Sequence, residues 1–323
     1  MLFYDSEATH RGIIRSDVTR IALGKSMHVR TRSVVGSAAF LAILLGATSL
    51  QGQPSELSLE ESAELGRQYE SAEALYEALE DDAGGGQRLA WDNLPPWFGI
   101  YTRGRGGLSF DPDRPADALT TAKLTPEYQA RFEETLRLRE QGIEYDPLSY
   151  CHPPGYPRWI TEPNLREFVV TPDQTWFMNE LANDVRRVYT DGRGHTPEED
   201  RYPLYNGDSI GFWDGDKLVV HTNQLMEGIY QRAHPNHSDQ LESVEIWQQV
   251  DERNIEVDLW IYDPPSLLEP WHTRQTYTKL TDPEKRLRIR YWNCSENQNN
   301  STFITEEGAT QFSDFTFTSD DDQ

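Results

Sequence analysis

From Arg166 to Trp292 the chain carries a period-two hydrophobic rhythm that constrains its fold more than any other feature. Ile255, Val257, Leu259 and Ile261 alternate with Glu256, Asp258, Trp260 and Tyr262, a spacing that puts one set on each face of an extended strand. Further strands are predicted at Arg166 to Thr171, Thr175 to Glu180, Val185 to Asp191, Ser209 to Asp214, Lys217 to Thr222, Glu242 to Gln249, Thr273 to Lys279 and Leu287 to Trp292. Asp214-Gly215-Asp216 is a tight-turn signal between two of them, and Asp251-Glu252-Arg253-Asn254 joins another pair. About nine short strands without intervening helices exclude a parallel α/β sheet and point to a mainly β antiparallel meander. Closure into a barrel removes exposed edges, so a closed or nearly closed barrel is the expected form.

Upstream of Tyr150 the pattern changes. Residues 55 to 82 are rich in Glu, Ala and Leu, and Leu65, Tyr69, Leu75 and Leu79 share one helical face before Gly84, Gly85 and Gly86 end the run. So charged a segment, spanning residues 53–90 with its flanks, reads as a peripheral helical leader. Trp91 to Pro115 is turn-rich with isolated aromatics, like a strand and its loops wrapped on something larger. Thr125 as N-cap with Pro126 in the first turn opens a second helix that runs to Gln141, ahead of Gly142. Residues 91–298 then form a single β-domain, and 299–323 an acidic, polar, flexible tail.

The first 52 residues read as an extension followed by a signal peptide. The apolar run Ser33 to Ala47 follows His28, Arg30 and Arg32 and precedes small and polar residues. It is shorter than the roughly 20 residues that span a bilayer. Met27 is the expected true start, since it places these basic residues at the front of a signal of ordinary length. In an oxidising compartment the only two cysteines, Cys151 and Cys294, are expected to pair. A net charge of −24 over 323 residues repels phosphate backbones and anionic lipid, which argues against nucleic-acid and membrane-surface partners.

Several residue sets point to chemistry. Gly207-Asp208-Ser209-Ile210-Gly211 fits the nucleophile-elbow spacing, but Phe212-Trp213-Asp214-Gly215 continues a strand where that motif needs a helix, so the glycines read as structural. His195, His221, His234 and His237 are candidate ligands for a divalent transition metal such as zinc, copper or iron, although their spacing matches no dedicated motif. Glu180, Asp191, His195, His221 and His237 are candidate acids and bases. Arg187, Tyr189 and Arg193, with Trp213, Trp247 and Trp260, are candidate ligand-lining residues. The first three could equally form a surface ion-pair ladder. Asp263-Pro264-Pro265 and Glu269-Pro270-Trp271 mark a rigid loop that could act as a lid or as a plain connector.

The segments LTPEYQARFEE (124–134), CHPPGYPR (151–158), EFVVTPDQ (167–174), VRRVYTDGRGH (185–195), GDSIGFWDGDKLVVHT (207–222) and HPNHSD (234–239) resemble, in this order, a large family of uncharacterised secreted bacterial proteins. The resemblance covers residues 90 to 298 and implies export, and it brings no activity with it. Two readings therefore stand. In the first, a calycin- or lipocalin-like barrel holds a small apolar or aromatic molecule in its interior. In the second, the protein is an exported hydratase, isomerase or hydrolase that uses a His, Asp and Glu cluster in the barrel, with or without a metal.

Overall fold

Ser58 and Ser71 decide the shape of the amino-terminal helical region. In the computed structural model, which describes residues 57–108, 122–232, 234–284, 286–294 and 302–312, each serine caps its own helix. Helix α1 (Leu59–Arg67) opens with a capping box between Ser58 and Glu61, and helix α2 (Ala72–Asp82) opens where the Ser71 hydroxyl accepts from Ala74 N. The single helix expected over 55–82 is thus two, because a serine at an N-cap position outcompetes helix continuation. The extension and signal peptide expected over 1–52 lie outside the described residues.

Strand β1 (Gly99–Gly106) follows, then helix α3 (Pro126–Glu140), capped by Thr125 as expected, and the short strand β2 (Ile143–Glu144). A 3-10 turn, Pro147–Tyr150, and the one-turn helix α4 (Arg158–Thr161) lead into β3 (Arg166–Val170), β4 (Gln174–Asn179) and β5 (Asp184–Tyr189). After a long connection come β6 (Asp208–Asp214) and β7 (Lys217–Asn223), then the ribbon β8 (Gly228–Ile229) and β9 (Asn236–His237). Strands β10 (Glu242–Gln249), β11 (Asn254–Tyr262) and β12 (Trp271–Lys279) complete the wall, and β13 (Thr302–Ile304) and β14 (Thr310–Phe312) form a carboxy-terminal hairpin.

Nine strands close a barrel in the order β1, β12, β11, β10, β7, β6, β5, β4, β3, with β1 bridging β12 and β3. Two features depart from the expected meander. β5 and β6 pair in parallel, through Tyr189 and Ile210, because the connection between them is long enough to carry the chain back to the starting end. And Leu287 to Trp292 is not a strand: Trp292 and Asn183 exchange backbone-to-side-chain hydrogen bonds of 2.9 and 3.0 Å, which lays this stretch along the β4–β5 turn. The closing strand is Gly99–Gly106 instead. Its bulge works because a Cβ on Gly106 (φ +91°) would sit 1.8 Å from Arg274 O, so only glycine lets the backbones approach there.

Alternation sends Phe168, Phe177, Trp247 and Tyr277 to the barrel axis, where they fill it. Trp247 stacks between Phe177 (4.4 Å between centroids) and Tyr277 (5.4 Å), and Phe168 meets all three edge-on. At the end that carries the β7–β10 connection, Tyr156 and Trp159 plug the barrel, with the Tyr156 hydroxyl 2.7 Å from Ser243 Oγ. At the opposite end Trp97 packs on Trp213. The outer face of the wall is covered too. Trp260 Nε1 donates to Ser62 O and the Tyr262 hydroxyl to Gly66 O, while Leu75 and Tyr76 pack on Phe212, Val219 and Val244. The charged helices are therefore peripheral in position but firmly seated. Among the described residues no helix is long and apolar enough to cross a membrane.

Candidate functional site

The residues predicted to line a cavity do not share one. Trp213 and Trp247 face the axis and are packed against protein, while Trp260 points outward under α1. Arg187 lies over the Trp176 ring on the outer wall, and Arg193 stacks on Tyr189 and pairs with Asp191 at 2.5 Å across a turn. The period of two was right, but where α1 and α2 cover the outer face of β6, β7, β10 and β11 an aromatic at either parity is buried against protein. The polar set at the axis is different: Arg186, fully buried, donates to Glu245 Oε2 (2.9 Å) and Thr222 Oγ1 (2.7 Å) beneath the Tyr156 ring. Trp247 Nε1 donates to the same carboxylate at 2.5 Å, so the ion pair is built into a buried polar network in which Glu245 Oε1 contacts Arg186 at 2.9 Å without a hydrogen bond.

Two of the predicted histidines do converge, on the outer wall. Register sets His221 of β7 beside Ile210 of β6 and Val244 of β10, and the loop after β5 brings in His195. His195 Nε2 lies 2.9 Å from His221 Nδ1, His195 Nδ1 lies 3.2 Å from Asp208 Oδ2, and His221 Nε2 lies 3.5 Å from Glu242 Oε2. Tyr76 of α2 stacks on His221, with centroids 5.5 Å apart. Burial raises the Asp208 carboxyl, but hydrogen bonds from His195 and from Thr196 N outweigh it and hold the group down to about 2. Chemically, Asp208 fixes the His195 ring so that a proton can pass between the two imidazoles, a pattern suited to acid–base work.

The other predicted polar residues stay apart. His237 is buried beside the Tyr230 ring, with Nδ1 donating to Ser238 O, and burial lowers its pKa. His234 Nδ1 faces Arg232 O in a turn, and Glu180 accepts from Arg290 N. Among the described residues no three histidine, cysteine or carboxylate side chains are arranged to hold an ion, so the four-histidine metal set does not assemble. The Asp263 loop is tied both to itself and to the segment before β10: its carboxylate accepts from Ser266 Oγ and from Ser238 N and Oγ.

A cleft of about 390 Å³ opens near the barrel rim, lined by Tyr145, Asp146, Pro147, Tyr150 and His152 on one side and by Glu227, Gly228, Ile229 and Asn236 on the other. Its first wall is set by Asp146, which caps the 3-10 turn through Leu148 N and grips Arg158 at 2.8 and 3.1 Å. Neighbouring Glu144 holds Arg232. The second wall is the β8–β9 ribbon, where Gly228 is needed because a Cβ would lie 2.7 Å from His237 Nε2. His152 takes a 3.1 Å hydrogen bond with the Tyr205 hydroxyl and sits between the Tyr150 and Tyr205 rings, while Tyr145 is half exposed. Sequence reasoning missed this place. The signals that could have marked it are the Asp146-Pro147 start of a 3-10 turn and the neighbouring Cys151, which reads only as half of a disulfide.

The expected disulfide is present: Cys151 and Cys294 are bonded across a separation of 143 residues. It does not join the barrel's ends, which close through β1, but ties the cleft's first wall to the segment beyond β12. No known protein family matches the chain, nor does any curated protein.

Proposed function

We propose that the protein is an exported binder of a small molecule with an apolar or aromatic ring, held in the rim cleft and not along the barrel axis. The observation that carries this reading is the cleft itself: about 390 Å³, inside the range of ligand sites, with tyrosine faces, one histidine, and two carboxylates and an amide to fix a polar end. Tyrosine suits such a role because it offers a large flat face at a low cost in side-chain entropy. The disulfide and the signal-like leader support export, and the net charge of −24 weighs against nucleic acid as partner.

Titration with indole and with p-cresol, followed by NMR of tyrosine-labelled protein, tests the reading. Saturable shifts are expected at Tyr145 and Tyr150, with affinity falling about 10-fold in Tyr145→Ala, as for loss of an aromatic contact of ~1.4 kcal/mol. Absence of saturable shifts with either probe, or shifts that Tyr145→Ala leaves unchanged, overturns it.

A further inference from the structure

Resting on the reading of the cleft as a ligand site, we propose that the Cys151–Cys294 disulfide is a redox control on its affinity. The cleft's first wall, residues 145–152, follows β2 directly and is held from behind by the carboxy-terminal part of the chain. β14 pairs with β2 through Thr310 with Glu144 and Gln311 with Ile143, the Tyr150 hydroxyl donates to Gly308 O, and Cys294 is bonded to Cys151. The segment that carries Cys294 is itself pinned to the β4–β5 turn by Asn183 and Glu180.

The position of the bond favours control over bulk stability. Cys151 lies between the lining residues Tyr150 and His152, so it acts on the wall directly. Its backbone sits at φ 60°, the left-handed region that a residue other than glycine leaves readily once its restraints are gone. No barrel strand uses a residue beyond Lys279, and the aromatic interior is drawn from residues before it, so breaking the bond removes nothing from the closed wall. Both cysteines are partly exposed and can be reached by a reductant.

The step is thiol–disulfide exchange with an external dithiol. A thiolate of the dithiol attacks one Sγ of the bridge, the Cys151–Cys294 bond breaks, and a mixed disulfide forms. The dithiol's second thiolate then displaces the cysteine. The dithiol leaves as a cyclic disulfide, having supplied two electrons, and both cysteines end as thiols after taking up two protons. Freed at Cys151, the 150–152 segment relaxes and carries Tyr150 and His152 out of register with the β8–β9 ribbon.

The full chain is titrated with indole before and after reduction by dithiothreitol, with near-ultraviolet circular dichroism recorded alongside. Expected are binding in the oxidised form, affinity weaker by 10-fold or more in the reduced form, and an unchanged dichroism signal from the buried tryptophans. The double variant Cys151→Ser, Cys294→Ser is expected to match the reduced protein. Equal affinity in both forms overturns the redox control and leaves the cleft reading intact. Loss of the dichroism signal on reduction also overturns it, since the bridge would then be a staple of the whole fold. Failure of the oxidised protein to bind indole defeats the cleft reading instead.

Discussion

Asp208, at the start of β6, accepts two hydrogen bonds from the loop after β5, and its ionisation reports whether that tie is made. His195 and Thr196 bond to its carboxylate and keep it charged down to about 2, below the ordinary carboxyl value of 3.8. A depressed folded-state value stabilises fully above the unfolded value and fades as pH falls through the folded one. At about 1.4 kcal/mol per unit, reduced for partial exposure, the tie contributes about 1 to 2 kcal/mol at neutral pH. Asp208→Asn is therefore expected to lower the unfolding free energy from urea titration at pH 7 by that amount, with the gap to wild type closing between pH 4 and pH 2. A gap that stays constant over this range excludes the ionised carboxylate as its source. Asp208, His195 and His221 were each visible in the sequence, but their meeting was not. It depends on the register that pairs Ile210 with His221 and on a loop returning from a parallel crossover, and neither leaves a local pattern.

At the scale of elements, the rules that worked were those with a local cause. Thr125 and Pro126 announced α3, and the alternation from Ile255 announced β11, because caps and periodicity are written in adjacent residues. The element that closes the barrel was obscured by Gly99, Gly104 and Gly106, which lower strand propensity yet allow the bulged approach to β12. Leu287 to Trp292 carries strand-like residues but finds its partners in a turn, so tertiary contacts override propensity there. Helix α1 offers a sharp test of such override. Alanine in place of a helical glycine ordinarily adds about 1 kcal/mol, but a Cβ on Gly66 would fall 2.6 Å from Trp260 Cδ1, whose ring is also held by Ser62 O. Gly66→Ala is expected to lower stability by about 1 to 3 kcal/mol through overpacking. A raised melting temperature in that variant would falsify the docking of α1 on the wall.

Across the whole molecule, the half of the barrel built from β6, β7, β10 and β11 has two buried faces, and this explains why the barrel's closure was readable while its contents were not. A wall with aromatics inward and helices outward shows apolar residues at both parities, so Trp247 and Trp260 looked alike in sequence although one fills the axis and the other lies under a helix. The same double cover ranks the parts by local stability. Strands β7, β10 and β11 are bonded on both sides, with the aromatic core behind them and α1 and α2 in front. The β8–β9 ribbon and the β13–β14 hairpin are short and lie outside the barrel order. Opening the hairpin or ribbon breaks few backbone bonds, whereas opening β10 breaches the closed wall and exposes its stacked rings. Native-state hydrogen exchange should therefore show amides of β10 and β11 opening only with global unfolding, at the full unfolding free energy. Those of β8–β9 and β13–β14 should exchange through local openings costing several kcal/mol less. Equal protection in the hairpin and the central strands would mean that the cleft's supports are as rigid as the barrel, and a cleft wall able to loosen on its own would then have no physical basis.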